Sequence, residues 1–495
     1  MNPTKKPTTK AMKPSADIAP TNLKGTGAFA SLAPFASTSI LAILLLAWTS
    51  SGIAPLRDAV AGAVAPSDFA TDFVPAARIG RARSSKGSFP LDVALGNTEM
   101  MRLGAPPYAN VGVPFGAHPP PAVLFVAALV PLGFPGAALV WLVLSLAGLA
   151  SVAWVAARAL ALGNTAPHGI AGASMLFLAL TIWPPVLHNI EKGQWSLIVA
   201  GLLAASWWAF GRRRDRLAGA LIAIAAAFKI MPLLVLMAYA GAPAPRRRRV
   251  LTGAGAAVVV AVALSVATLG GNAWLAFFQS APVNTRGWQT GPANTLSIWG
   301  ALARSLVGGP FARPFVTTGP GTWVARVVWG VAAVGLMAAA TRVTLRTTDR
   351  RTARQPAPGD AEPAPAKSFA AWCALAVVLG PLSWSHAATW LILPLALLAV
   401  ETKRERPAVM FGAPPEGAGT VGEGPIRHLV HPPILVAAFV ALTIPRMTLF
   451  TWAGPVPVPP GRGLLLSTHL AAALAILYVA LAGRSGSPGS ARPPI

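Results

Sequence analysis

The sequence predicts an all-α polytopic membrane protein of about twelve transmembrane helices with a large first outer loop. Three observations predict it. Of the 495 residues, 54% are hydrophobic and 11% charged, against the roughly 25% charge of a soluble domain. The apolar residues fall in runs suited to crossing or re-entering a hydrocarbon layer. The basic residues fall in short clusters between those runs, the arrangement that orients spans in a bilayer. The net charge of +25 would point to nucleic acid only if the basic side chains shared one folded face. Cys373 is the single cysteine and lies in an apolar run, so neither a disulfide framework nor a thiolate metal site is expected. The sequence has no P-loop motif, which disfavours an ATP-driven transporter.

Residues 1–30 carry Lys5, Lys6, Lys10, Lys13 and Lys24 among Pro, Thr and Gly, and read as a disordered basic cytoplasmic tail. Residues 31–485 read as a single transmembrane domain, and 486–495 as a second cytoplasmic tail. The first span is Phe35–Trp48. The following outer loop, 55–135, holds Asp58, Asp68, Asp72, Asp92 and Glu99 of the 15 acids. It ends in a short apolar run bounded by Pro131 and Pro135. At about 1.5 Å per residue this run barely reaches across the core, so it is expected to lie at the outer interface. Further apolar runs occupy 136–160, 168–188, 195–210, 215–228, 232–243, 250–270, 321–343, 368–383, 386–400, 430–450 and 463–483. A second outer loop falls at 271–320, and cytoplasmic loops at 344–367 and 401–428.

The stretch 183–249 decides this topology. Two arginine clusters, Arg212–Arg216 and Arg246–Arg249, flank an apolar segment interrupted by Lys229-Ile-Met-Pro232. Proline has no N–H to donate and breaks a helix interior. A single span over 215–243 would put the clusters on opposite sides of the membrane. Two short helices with a turn near Lys229 put both in the cytoplasm, as positive charge favours. The turn must then sit in a water-filled or protein-lined recess.

No Asp or Glu falls in the middle of a span. That disfavours a proton- or sodium-coupled transporter, whose site needs charge at depth. The same topology brings Asp68, His118, His188, Gln194, Lys229, Arg286 and His386 to the outer face. Asp68 and Asp72 share a face if their segment is helical, and a carboxylate there can take a proton from an acceptor hydroxyl; a solvated loop or a helix cap is the plainer explanation. Lys229 among apolar residues needs a partner, and an anionic phosphate is a natural one; the alternative is snorkelling to the interface. Gln194, just after Gly193 at a span end, would alone be a helix cap. His118, His188 and His386 fall at outer span ends, where histidine is commonly structural. Arg286, in Asn-Thr-Arg-Gly-Trp-Gln, is able to pair with phosphate. No cluster has metal-ligand spacing.

Four segments in order resemble glycosyltransferase family 87 over roughly residues 60–400. They are D-F-A-T-D-F-V-P-A-A (68–77), F-G-A-H-P-P-P-A-V-L-F (115–125), G-Q-W-S (193–196) with A-G-A-L-I-A-I-A-A-A-F-K-I-M-P (218–232), and G-P-L-S-W-S-H (380–386). The resemblance implies an integral-membrane enzyme of GT-C-type fold, related to polyprenyl-phosphomannose-dependent mannosyltransferases. It implies that a hexosyl group, typically mannosyl, passes with inversion from a polyprenyl-phosphate donor to a lipid or glycan acceptor on the outer face of the cell membrane. Asp68 would be the base by motif match, with Asp72 as the alternate. His118, His188, Gln194, Lys229, Arg286 and His386 would be the substrate-binding residues. Neither metal nor cofactor is demanded. The competing expectations are a lipid-linked-sugar flippase or transporter without glycosyl transfer, and a membrane scaffold.

Overall fold

The computed structural model describes residues 118–160, 166–275, 277–278, 296–306, 320–352, 365–380, 383, 385–404, 424–444 and 467–482. All lie in the compact unit Leu44–Ile495. The expected first span, both tails, Asp68, Asp72 and Arg286 fall outside the described residues. Among the described residues every regular element is helical. In chain order they are α1 (Pro120–Leu129), α2 (Gly133–Ala159), α3 (Ala166–Thr181), α4 (Pro184–Lys192), α5 (Ser196–Gly211), α6 (Asp215–Phe228) and the 3-10 helix Met231–Tyr239. They continue with α7 (Ala244–Leu269), α8 (Ile298–Leu306), α9 (Pro320–Thr352), α10 (Ala366–Leu379), the 3-10 helix Ser385–Leu391, α11 (Ile392–Arg404), α12 (Gly424–Thr443) and α13 (Thr468–Leu481).

Four segments are long and apolar enough to cross a membrane: Gly136–Ala159, Ala244–Leu269, Trp323–Arg346 and Ser385–Thr402. A fifth is added if the bent pair α3–α4 counts as one span. Ser196–Gly211, Ala366–Leu379, Pro432–Thr443 and Thr468–Leu481 are shorter apolar helices. Large apolar side chains stand exposed on α3, α7 and α9, among them Met175, Leu178, Val259, Val331 and Val334. A soluble protein does not leave such a surface to water; hydrocarbon accepts it. The chain is thus an all-α membrane protein.

Prolines set the breaks. The run 168–188, expected as one span, is bent by 69° between Ile170–Thr181 and Pro184–Ile190. Trp183 takes the extended backbone (φ −72°, ψ 128°) that a following proline demands, while hydropathy continues through the bend. Lys229 is likewise extended (φ −147°, ψ 126°), and Pro232 lies in the first turn of the 3-10 helix, where its missing N–H costs nothing. The expected two-helix reading of 215–243 therefore describes this segment. Pro131 falls in the short 3-10 turn Val130–Leu132, and α1 packs against α7 and α6. At its C-terminal end α9 continues past the expected boundary at 343 to Thr352, because no Gly or Pro interrupts Thr341–Thr352.

The core centres on α10. Every residue of this helix except Lys367 is buried, as expected of a helix that is apolar all round. It packs on the 3-10 helix Met231–Tyr239 and on α9, α11 and α13. A second tight contact joins α6 to α7. A Cβ on Gly219 would collide with the Val250 carbonyl, and one on Gly253 with the Arg216 carbonyl, so both glycines are needed for backbones this close. Beside them Asp215, fully buried, accepts at Oδ1 from Arg246 Nε (3.0 Å) and Nη2 (2.8 Å). Its Oδ2 accepts from Arg249 Nε (2.9 Å) and Nη2 (2.8 Å). Arg246 also donates to the Phe210 carbonyl and lies 3.8 Å from the centroid of that ring. One carboxylate thereby draws the two arginine clusters together at one end of the helices.

Gly219→Leu forces α6 and α7 apart and should cost about 1–3 kcal/mol. Thermal unfolding of the detergent-solubilised protein reads it as a lower melting temperature; an unchanged one contradicts this packing.

Candidate functional site

The site forms where three segments meet: the α4–α5 corner, the break after α6, and the 3-10 helix Ser385–Leu391. At the corner, α4 ends on Gly193 in the left-handed conformation (φ 66°, ψ 34°), which glycine adopts without Cβ strain. The Gln194 N–H donates to the Asn189 carbonyl (3.0 Å), and Asn189 Nδ2 donates back to the Gln194 carbonyl (3.0 Å). This closed pair fixes the Gln194 backbone. Ser196 then opens α5 and is wholly buried.

The extended backbone at Lys229 ends α6. Its Nζ donates to Gln194 Oε1 at 3.1 Å and to Ser196 Oγ at 3.2 Å, and lies 3.4 Å from His386 Nε2. A protonated lysine has three donors and no acceptor. In that contact Nε2 of a neutral His386 ring is the acceptor. The His386 ring stacks on His188 with centroids 5.8 Å apart. His118 Nδ1 lies 3.1 Å from the carbonyl of Phe228, the residue before Lys229. Gln194 and His386 are buried; His118, His188 and Lys229 are half-buried.

Apolar packing holds these polar groups in register. Trp195 stacks on Phe228 (5.2 Å), and Phe125 meets both rings edge-on at 5.7 and 5.3 Å. Such pairs add about 0.5–1.5 kcal/mol beyond area burial. Trp390 Nε1 donates to the Ser196 carbonyl (3.2 Å), Thr389 Oγ1 to the His386 carbonyl (2.8 Å), and the Leu296 N–H to the Ser383 carbonyl (3.0 Å). Among the described residues, Asn189 Oδ1 and Ser385 Oγ are buried without a hydrogen bond. Buried polar atoms are normally paired, and both atoms belong to the segments that build this cluster.

Five of the residues singled out in the sequence, His118, His188, Gln194, Lys229 and His386, come together here. Ser196 and Asn189 were not singled out. Ser196 was within reach, two residues after Gln194 in the G-Q-W-S motif. Asn189 carries no such signal, because its partner is a backbone carbonyl.

A cationic group ringed by polar side chains, set in a helical membrane protein, is suited to an anionic substrate. Residues 117–359 match the family model of Glycosyltransferase family 87, the family that the sequence motifs resemble. The matched span includes His118, His188, Gln194, Lys229 and Arg286; Asp68, Asp72 and His386 lie outside it. No curated protein and no solved structure matches the chain.

Gly193→Ala places a Cβ on a left-handed backbone and should lower stability by about 1 kcal/mol, whereas Gly193→Asn should lose less, since asparagine tolerates that conformation. Melting temperatures of the two variants decide it, and equal losses would contradict the conformational explanation.

Proposed function

We propose that the chain moves a hexosyl group, mannosyl by family resemblance, from a polyprenyl-phosphate donor to a lipid or glycan acceptor on the outer face of the cell membrane, with inversion. One observation carries this: three separate segments bring the Lys229 ammonium, at the end of a helix, against Gln194 and Ser196 of one segment and His386 of another. A donor phosphate engages Lys229 and His386, with Gln194, His118 and His188 around it, and Arg286 is a further phosphate ligand by family resemblance. GT-C-type architecture with about twelve spans accommodates this site.

The chemistry follows from the leaving group. The donor is a phosphodiester with one negative charge; as its anomeric bond breaks, the polyprenyl phosphate gains a second. Cationic donors held in place before the reaction stabilise that growing charge. The leaving group is weakly basic, so no strong general acid is required. The acceptor hydroxyl does lose a proton, and Asp68, or Asp72 as the alternate, takes it. A single displacement with one base inverts the anomeric centre.

Orientation supports the same picture. The arginines and Lys229 lie at opposite ends of α6, whose 14 residues span about 21 Å. Positive charge favours the cytoplasm, which leaves Lys229 toward the outer side.

Membranes containing the full chain, supplied with radiolabelled polyprenyl-phosphate mannose, should form a new glycosidic bond. Asp68→Asn should cut that transfer by about 10²–10⁴-fold, and Lys229→Gln by about tenfold or more, both with normal expression. Full activity in both variants contradicts the assignment. Translocation of the label with no new glycosidic bond would instead identify a flippase.

A further inference from the structure

The two arginine clusters are separated by some thirty residues of chain, yet they form one surface because Asp215 binds Arg246 and Arg249 at once. Both oxygens of this carboxylate are occupied within the pair, and its side chain has no exposure. Around it Arg212, Arg214, Arg216, Arg247, Arg248 and Arg249 are exposed. Arg212 lies over Trp208, 5.0 Å from its ring centroid, and Arg247 donates to the Ala240 carbonyl. Among the described residues, Arg214, Arg216 and Arg248 face no carboxylate. Like charges this dense repel each other unless counter-charge is near.

The position of this surface identifies the counter-charge. Leu217 and Leu251, each following an arginine cluster, are 43% and 51% exposed, and on α7 the apolar exposed face continues through Val258, Val259 and Val260. The guanidinium groups therefore stand at the edge of the lipid-facing surface, at headgroup level, where tryptophan and arginine anchor helices. Arg213 adds a further sign. It holds a left-handed backbone (φ 59°), a conformation that glycine or asparagine takes more readily, so charge occupies a position where backbone preference disfavours it.

We propose that this arginine face binds the headgroups of anionic phospholipids. A guanidinium pairs bidentately with a phosphodiester, and adjacent arginines each add attraction to an anionic leaflet. A zwitterionic headgroup sets its own cation against the same surface. The acyl chains of a lipid bound here run along Leu217, Leu251 and the α7 valines, contacts that a soluble anion does not make. Bound anionic lipid holds the α5–α6 turn at headgroup level.

The test uses the full chain purified in detergent, titrated with dioleoyl-phosphatidylglycerol or dioleoyl-phosphatidylcholine and followed by native mass spectrometry. Phosphatidylglycerol should be retained at least about tenfold more strongly, with the preference shrinking as ionic strength rises. The variant R214Q/R216Q/R247Q/R248Q should bring the two lipids within about twofold. Its Arg→Lys counterpart should keep most of the preference, since the charge remains. A control, R326Q/R342Q, changes exposed arginines of α9 and should leave the preference intact. Equal retention of the two lipids by the unaltered chain overturns the proposal. So does a preference that survives the four Arg→Gln changes, or displacement of phosphatidylglycerol by an equal concentration of inorganic phosphate.

Discussion

An ammonium group carried into an apolar helical bundle has to be met by acceptors, and the architecture around Lys229 meets it. Left unpaired at depth, such a charge is costly. Gln194 Oε1, Ser196 Oγ and His386 Nε2 surround it, and each comes from a segment whose backbone is itself held by a neighbour. Gln194 depends on the left-handed Gly193 and on Asn189. The Ser196 carbonyl is tied to Trp390, and the 3-10 helix of His386 packs on α4, α5, α10 and α13. A change in any of these supports moves a partner of the lysine. That makes Lys229 a group whose surroundings are fixed by the fold itself.

The helices α5 and α6 make this site one end of a hairpin. Ser196 starts the first helix and Lys229 follows the second. At the other end, the turn between them holds Arg212–Arg214 and leads into Asp215, the acceptor of Arg246 and Arg249. The close contacts of Gly219 and Gly253 bind α7 to the same hairpin. One piece of structure thus carries a strongly basic end and a polar end around Lys229, and in a bilayer the two are set at different depths. The basic end and the Lys229 cluster are held a fixed helix length apart.

Several of these features were legible in the residues. Lys229-Ile-Met-Pro232 reads as a break because proline acts locally, and the break lies where it was expected. Histidines and polar side chains stand out in apolar runs, so His118, His188, Gln194 and His386 could be named before their contacts were known. Other features leave no such trace. The 69° bend before Pro184 interrupts a run whose hydropathy is continuous, and two prolines at a helix start look the same whether the chain turns or not. Asp215 sits within an arginine cluster and looks solvated; its burial follows only once Arg246 and Arg249, distant in sequence, are brought beside it. Asn189 works through a carbonyl, and backbone partners are not written in side-chain pattern. The motif resemblance supplied what periodicity could not, an expected chemistry for residues that spacing alone would leave as helix caps and interfacial histidines.

The most direct measurement is a cryo-electron microscopy structure of the full chain with a non-transferable polyprenyl-phosphonate sugar analogue bound. The expected result is density for the phosphonate oxygens within hydrogen-bonding distance of Lys229 Nζ, with His386 beside them. An analogue bound elsewhere, with Lys229 still on Gln194 and Ser196, contradicts Lys229 as the ligand of the donor phosphate.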